Sequence, residues 1–222
     1  MITLHGMTLS NYYNKVKLVL LEKNLPFTEQ HQRTRSTDEA VLAATPLGKI
    51  PFVKIDGQTL CESQVIVDCL EAKFPSPALV PADPVAAAKV RELATFMELY
   101  IELVGRELYA EAFFGGKVSD EVKASVRERL AKNIPALKRL AKFAPYVAGA
   151  EFTVADAAAF SALPTVAQAT KAALGEDMIA AAGIDWKAYL KLLGERPSVQ
   201  RVNADRKRDM EAALASMTAA KG

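Results

Sequence analysis

Strand-like alternation is confined to the first third of this chain, and no other feature limits its fold as tightly. Beyond Pro84 the apolar spacing is helical throughout. The strongest strand signal lies between Thr45 and Ser63. Phe52-Val-Lys-Ile55 alternates, Asp56-Gly57 is a type I′ turn pair, and Gln58-Thr-Leu-Cys61 runs back, which predicts a β-hairpin. Pro46 and Pro51 bracket Gly48-Lys49, so the approach to the hairpin has a restricted backbone. After it, Val65, Ile66, Cys69, Leu70 and Phe74 share one broad helical face. Ser63 then opens a helix, where unpaired N–H groups and the helix dipole favour an anion.

Upstream, residues 2–5 predict a strand closing at Gly6, followed by a polar, aromatic turn from Met7 to Asn14. A helix is expected from Lys15, with Val16, Val19 and Leu20 in its apolar stripe. Lys15, Lys17, Glu22 and Lys23 fall mostly outside that stripe. Pro26 follows the helix, and Phe27 to Gln32 alternates as a second strand. With a helix between them, the two strands would pair in parallel as a right-handed βαβ unit. Thr37 or Asp38 is placed to cap a short helix through Ala44.

Pro75, Pro77, Pro81 and Pro84 mark a break in composition. The expected division is a domain over 1–78, a linker over 79–84 and an all-helical domain over 85–222. Within the last, a helical pattern runs from Ala86 to Phe114, with a break expected near Val104-Gly105 and a stop at Gly115-Gly116. Ser119 or Asp120 starts the next helix. Thr153-Val-Ala-Asp156 is a capping box, and the apolar run behind it predicts a central buried helix that Pro164 bends or stops. A final helix after Pro197 carries a basic face at Arg201, Arg206, Lys207 and Arg208.

Charge narrows the function classes. The net charge is only +2 over 222 residues, and residues 1–78 carry as many acids as bases, so no basic lobe exists to hold a phosphate backbone. No nucleic-acid partner is expected. Cys61 and Cys69 lack metal-ligand spacing and read as small, partly buried thiols; no metal is expected. His5 and His31 are each isolated and read as incidental. The N-terminus enters directly into Ile2-Thr-Leu-His5 with no evident signal peptide, and no apolar run is long enough to cross a membrane. A cytoplasmic protein is the expectation.

The order of a βαβ–ββα domain, a proline-marked linker and a helical domain resembles the cytosolic glutathione transferases. Pro46-Leu-Gly-Lys-Ile-Pro-Phe52 and Glu62-Ser63 carry the resemblance. Ser10 with Lys15-Val16 five residues on, Thr153-Val-Ala-Asp156 and Arg196-Pro-Ser-Val199 support it, so the matches span nearly the whole chain. The resemblance implies an α+β thioredoxin-like N-terminal domain that binds glutathione, followed by an all-α helical bundle lining an electrophile site. It implies a cis Pro51, with Ile50 pairing its backbone to the cysteinyl part of the tripeptide. Glu62 and Ser63 would hold the γ-glutamyl end and Lys49 would face the glycine carboxylate.

The resemblance also assigns Ser10 the catalytic position, in the turn between the first strand and first helix. A hydroxyl donating there stabilises a thiolate and lowers the thiol pKa. Serine classes often place Pro after this Ser, whereas this chain reads Asn11-Tyr12-Tyr13-Asn14, so Asn11, Tyr12 and Tyr13 stand as alternative donors. Gly6 falls where other classes carry a catalytic tyrosine, and neither cysteine lies in the turn. Tyr100, Arg106 and Tyr109 fall on the helices that line the electrophile pocket in the family; Tyr109 reads equally as a core-edge aromatic. The expected function is conjugation of the glutathione thiolate to a hydrophobic electrophile by a homodimer. Glutathione-dependent disulfide or peroxide reduction, and a non-catalytic binding or regulatory module, are the alternatives.

Overall fold

A computed structural model describes residues 1–219 of the chain. It resolves into two compact units. One comprises Met1–Ala78 together with the segment from Gly194 onward, and the other is Leu79–Leu193.

The first unit is built on a four-stranded sheet, β1 (Ile2–Gly6), β2 (Phe27–His31), β3 (Phe52–Ile55) and β4 (Gln58–Cys61), in the order β2-β1-β3-β4. The expected βαβ unit is present: β1 runs parallel to β2, with Ile2 opposite Phe27 and Gly6 opposite His31. β3 lies antiparallel to β1 and continues as a hairpin into β4, with Ile55 opposite Gln58. Asp56 and Gly57 both take positive φ, 49° and 78°, as a type I′ turn requires. Ile2, Leu4, Phe52, Val53 and Ile55 supply the buried positions of the central strands.

Helix α1 (Asn11–Glu22) starts one turn before the expected Lys15, because Ser10 caps it by accepting from the Tyr13 backbone N–H at 3.3 Å. A four-residue α2 (Glu39–Leu42) follows β2, capped by Asp38. Helix α3 (Ser63–Lys73) leaves the hairpin and packs against α1. The placement of the α1 lysines outside the apolar stripe is corrected. Lys15, Lys17 and Lys23 are all buried, and every residue from Tyr13 to Leu20 is enclosed.

The cause is a second layer that local periodicity does not reveal. The terminal helix, Pro197–Ala219, packs on α1. Its Asp205 accepts from Lys17 Nζ at 2.7 Å, and Glu29 of β2 accepts from the same ammonium at 2.6 Å. Arg196 and Ser198 both donate to Glu22, Arg196 through Nε at 2.7 Å and Nη2 at 2.5 Å. Residues from Gly194 onward therefore group with 1–78, whereas the sequence pattern alone placed them in the helical domain.

The helical unit opens with α4 (Pro84–Phe96), capped by Asp83. Its winding then changes without a gap: a π-helical stretch over Met97–Glu102, α5 (Leu103–Gly105), a 3-10 turn over Arg106–Leu108 and α6 (Tyr109–Phe114). The break expected near Gly105 is thus a change of pitch. A Cβ at Gly105 would lie 2.8 Å from Val166 Cγ2, so glycine lets this run approach the central helix.

Helices α7 (Asp120–Leu140) and α8 (Val154–Leu174) are the longest of the unit, followed by α9 (Met178–Ala181) and α10 (Trp186–Leu193). Helix α8 is buried without interruption from Val154 to Pro164, and it continues through Pro164, so the stop named as one outcome there does not occur. Packing on all sides offsets the one lost hydrogen bond. Asp156 closes the capping box by accepting from the Thr153 N–H at 2.7 Å and hydroxyl at 2.9 Å. It also accepts from Val147 N at 2.8 Å and the Tyr189 hydroxyl at 2.5 Å. No helix among the described residues is long and apolar enough to cross a membrane.

Candidate active site

The candidate site of the first unit is made by two helix starts and one turn. At the start of α1, Ser10 has extended backbone angles, its N–H donates to Met7 O at 3.0 Å, and its side-chain oxygen accepts from Tyr13 N. That bond polarises the hydroxyl and turns its proton away from the helix, leaving a donor at the positive end of the dipole. The preceding turn is held from two sides. Asn14 Nδ2 donates to Thr8 O at 2.7 Å, and the Thr8 hydroxyl donates to Asp209 of the terminal helix at 2.7 Å.

Among the alternative donors, Tyr13 is corrected. It is almost fully buried and its hydroxyl donates to Glu29, so it faces the sheet edge. Burial, and then the hydrogen bond to the Glu29 carboxylate, push its phenol well above the ordinary tyrosine range. Its ring also explains Gly6: a Cβ there would lie 2.3 Å from Tyr13 Cδ2, so a side chain at residue 6 has no room. Asn11 and Tyr12, both half-buried in the first turn of α1, remain beside Ser10.

The second helix start is that of α3. Ser63 is its buried first residue, and Glu62 before it is exposed with φ 68° and ψ 114°. A positive φ on a glutamate is costly, on the order of 1–3 kcal/mol, and such strain concentrates at functional positions. Between the two starts lies the turn of residues 45–51. Gly48 takes φ 60° against Ser36, where a Cβ would sit 2.3 Å from the Ser36 carbonyl oxygen. Lys49 is exposed, Ile50 is half-buried, and the Ile50–Pro51 peptide is cis, with Pro51 buried at the entry to β3.

For one residue of this region the sequence supplied a family match but not its burial or its contacts. Lys15 is completely buried, and its Nζ donates to Gln64 Oε1 at 2.7 Å and approaches Ser63 Oγ at 3.4 Å. Leu18 and Val19, three and four residues on, are both fully buried, so the signal was the apolar face that Lys15 shares once the helix starts at Asn11.

In the helical unit, the three residues expected to line an electrophile pocket divide. Glu102 is fully buried and accepts from Arg106 Nε at 3.2 Å, Arg106 Nη2 at 2.5 Å and the Tyr109 hydroxyl at 3.1 Å. The Arg106 guanidinium also lies over the Tyr109 ring, 5.4 Å from its centroid. Arg106 and Tyr109 are thus one cluster around a carboxylate, and Tyr109 serves as a core aromatic. Tyr100 is exposed and packs on Phe96, with ring centroids 4.9 Å apart. Two surface depressions of this unit, one around Arg127 and Ile134 and one around Val85 and Arg139, contain none of the three.

Comparison with known proteins agrees with this geometry. Residues 4–78 match the glutathione S-transferase N-terminal domain family. A glutathione S-transferase of Pseudomonas putida is 42% identical over 215 residues, covering 96% of each chain. The chain belongs to the glutathione S-transferase family. The structure of glutathione S-transferase III in apo form superposes with a TM-score of 0.74 at 27% identity, covering 91% of this chain and 95% of that one. Glutathione transferase Omega 3C from Trametes versicolor gives 0.73 at 25% identity, covering 90% and 88%. Family membership accounts for the thioredoxin-like sheet and the all-helical second unit together, and the matched span 4–78 coincides with the N-terminal part of the first unit.

Proposed function

We propose that this protein is a glutathione transferase that activates the glutathione thiol with the Ser10 hydroxyl. The observation that carries the reading is the pair of helix starts in the thioredoxin-like unit. One presents a polarised hydroxyl donor, and the other presents the amides of the first turn of α3 beside a buried ammonium. The family and its full-length Pseudomonas putida relative support the same reading.

In this reading Ile50 holds the cysteinyl backbone of glutathione, Lys49 meets the glycine carboxylate, Glu62 pairs with the γ-glutamyl ammonium and Ser63 donates to its carboxylate. The thiol loses its proton to solvent, and Ser10 donates to the resulting thiolate and raises its fraction near neutral pH. The thiolate sulfur then forms a bond to the electrophilic carbon. In a substitution the leaving group departs with its electron pair; in an addition the neighbouring carbon takes a proton. Donor placement and positioning supply the acceleration. The electrophile is a small hydrophobic molecule. The working form is a cytoplasmic homodimer.

Disulfide reduction is not favoured, because Ser10 occupies the turn where a thiol nucleophile would be needed, while Cys61 lies in β4 and Cys69 in α3. Calorimetric titration with glutathione, paired with conjugation of an aromatic halide, tests the proposal. Ser10→Ala should lower turnover about a hundredfold while changing glutathione affinity little. Absence of glutathione binding would overturn the reading, and full turnover in the variant would pass the donor role to Asn11 or Tyr12.

A further inference from the structure

The turn that delivers Ser10 is held by a residue some two hundred positions away. The chain leaves β1 at Gly6 and reverses through Met7-Thr8-Leu9, closed by the Ser10 N–H donating to Met7 O at 3.0 Å. Thr8 and Leu9 are the two central residues of that turn. Leu9 is 40% exposed whereas Thr8 is buried, so the turn is anchored through Thr8. Its carbonyl accepts from Asn14 Nδ2 at 2.7 Å, while Asn14 Oδ1 is buried with no hydrogen-bond partner among the described residues. The amide therefore has one orientation, because turned over it would set Oδ1 against the Thr8 carbonyl.

The second anchor comes from the terminal helix. The Thr8 hydroxyl donates to Asp209 Oδ2 at 2.7 Å, and the other oxygen of that carboxylate accepts from Arg208 Nε at 3.3 Å. Arg208 Nη1 in turn donates to Asp205 Oδ1 at 2.7 Å, and Asp205 holds Lys17 of α1. Asp205 and Asp209 are four residues apart and share one face of their helix. One grips the body of α1, and the other grips the turn two residues before the Ser10 cap. The backbone on both sides of Ser10 is thereby fixed to a single rigid element. A hydroxyl donor weakens steeply as its angle and distance drift, so the placement of this turn bears directly on what Ser10 can do.

We propose that Asp209 is a positioning residue for the Ser10 donor, acting through the Thr8 hydroxyl. This rests on the reading of Ser10 as the group that stabilises the glutathione thiolate, and it adds to that reading a residue of the terminal helix. Removing the carboxylate leaves the buried Thr8 hydroxyl without its acceptor, and the turn relaxes away from the placement that suits a thiolate. The consequence is a thiol that holds its proton to higher pH, with the rest of the tripeptide still bound.

The test follows ionisation of the bound thiol in the full chain, by the ultraviolet absorbance of the thiolate and by the pH profile of kcat/KM with an aromatic halide. Asp209→Ala and Thr8→Val, which keeps the branched shape and removes the hydroxyl, should each raise the midpoint by about one pH unit. That lowers kcat/KM about tenfold well below the midpoint and leaves it within about twofold above it. Asp209→Asn keeps an acceptor and should stay within about twofold of wild type throughout. The double variant should be no worse than either single one. S-methylglutathione, which has no ionisable thiol, should bind every variant within about twofold by calorimetry. If Thr8→Val does not fold, Asp209→Ala, whose side chain is partly exposed, carries the same readouts. An unmoved midpoint, or an equal loss of S-methylglutathione binding, would overturn the positioning role and leave the Ser10 reading standing. An unmoved midpoint in Ser10→Ala, or a wild type that binds no glutathione, would overturn both.

Discussion

The buried lysines of the first unit and the buried carboxylates of the helical unit differ in where their partners lie. In the first unit Lys15 and Lys17 of α1 and Lys23 at its C-terminal cap lie enclosed, and their partners come from other elements: Lys17 meets Glu29 and Asp205, and Lys23 meets Glu71 at 2.5 Å and the Pro77 carbonyl at 2.7 Å. The buried charged residues of the helical unit are the carboxylates Glu102 and Asp156, and their partners lie between Arg106 and Tyr109 and between Val147 and Tyr189. Lys17 therefore ties the terminal helix to α1 and β2 within one unit. The carboxylates instead lock a local motif. Loss of a local lock should cost stability in its own unit, whereas loss of a long-range tie should be felt where the terminal helix supports α1.

The largest effect expected from this contrast is at Asp156. Replacing it with alanine leaves the Val147 and Thr153 amides and the Tyr189 hydroxyl buried without their acceptor. Asp156→Ala should destabilise the helical unit by about 3–5 kcal/mol. Trp186, the single tryptophan, lies in that unit and donates to Asp177 at 2.8 Å, so its fluorescence in a urea titration reports the change. A shift below about 1 kcal/mol would break the contrast.

A smaller effect is expected at Asp205, the centre of the long-range tie. Burial pushes its carboxyl up, but hydrogen bonds from Lys17, Arg201 and Arg208 overcome this and hold it at about 2. A folded pKa below the unfolded value means that the stabilisation is complete above about pH 4. It is lost as the pH falls through about 2. Its size is about 2 kcal/mol. Urea unfolding of the wild type and Asp205→Asn should differ by that amount at pH 5 and converge towards pH 2; a difference independent of pH would assign the tie to shape rather than charge.

The same contrast explains what the sequence disclosed. The hairpin, the cap at Asp38 and the Thr153–Asp156 box were legible because each is written within a few residues, and the structure contains all three. Glu62 and Ser63 were legible as a helix start for the same reason, whereas the helix after Ser10 was expected only from Lys15 and Ser10 stood out through the family resemblance. The burial of Lys15 and Lys17 was not, since it depends on Ser63, Gln64 and Asp205, residues 48 to 188 positions away. The grouping of the terminal helix with the first unit was hidden in the same way. A periodic pattern shows which face is apolar, and it cannot show that a polar face will be covered by a partner of opposite charge.

The smallest expected effect separates structural from catalytic tyrosine at the turn itself. Tyr13 is three residues from Ser10, and by position alone either side chain is a candidate thiol donor. The Tyr13 hydroxyl, however, donates to Glu29, which also accepts from Lys17 at 2.6 Å, so Glu29 keeps a charged partner when the hydroxyl is removed. The ring stays against Gly6 in Tyr13→Phe, and packing at the turn is preserved. That variant should lose only about 1 kcal/mol of stability, the net worth of one hydrogen bond. Its turnover with glutathione and an aromatic halide should stay within about twofold of wild type, against the hundredfold expected for Ser10→Ala. A collapse of turnover in Tyr13→Phe with unchanged glutathione affinity would reverse the assignment, because a hydroxyl committed to Glu29 cannot at the same time donate to a thiolate at the start of α1.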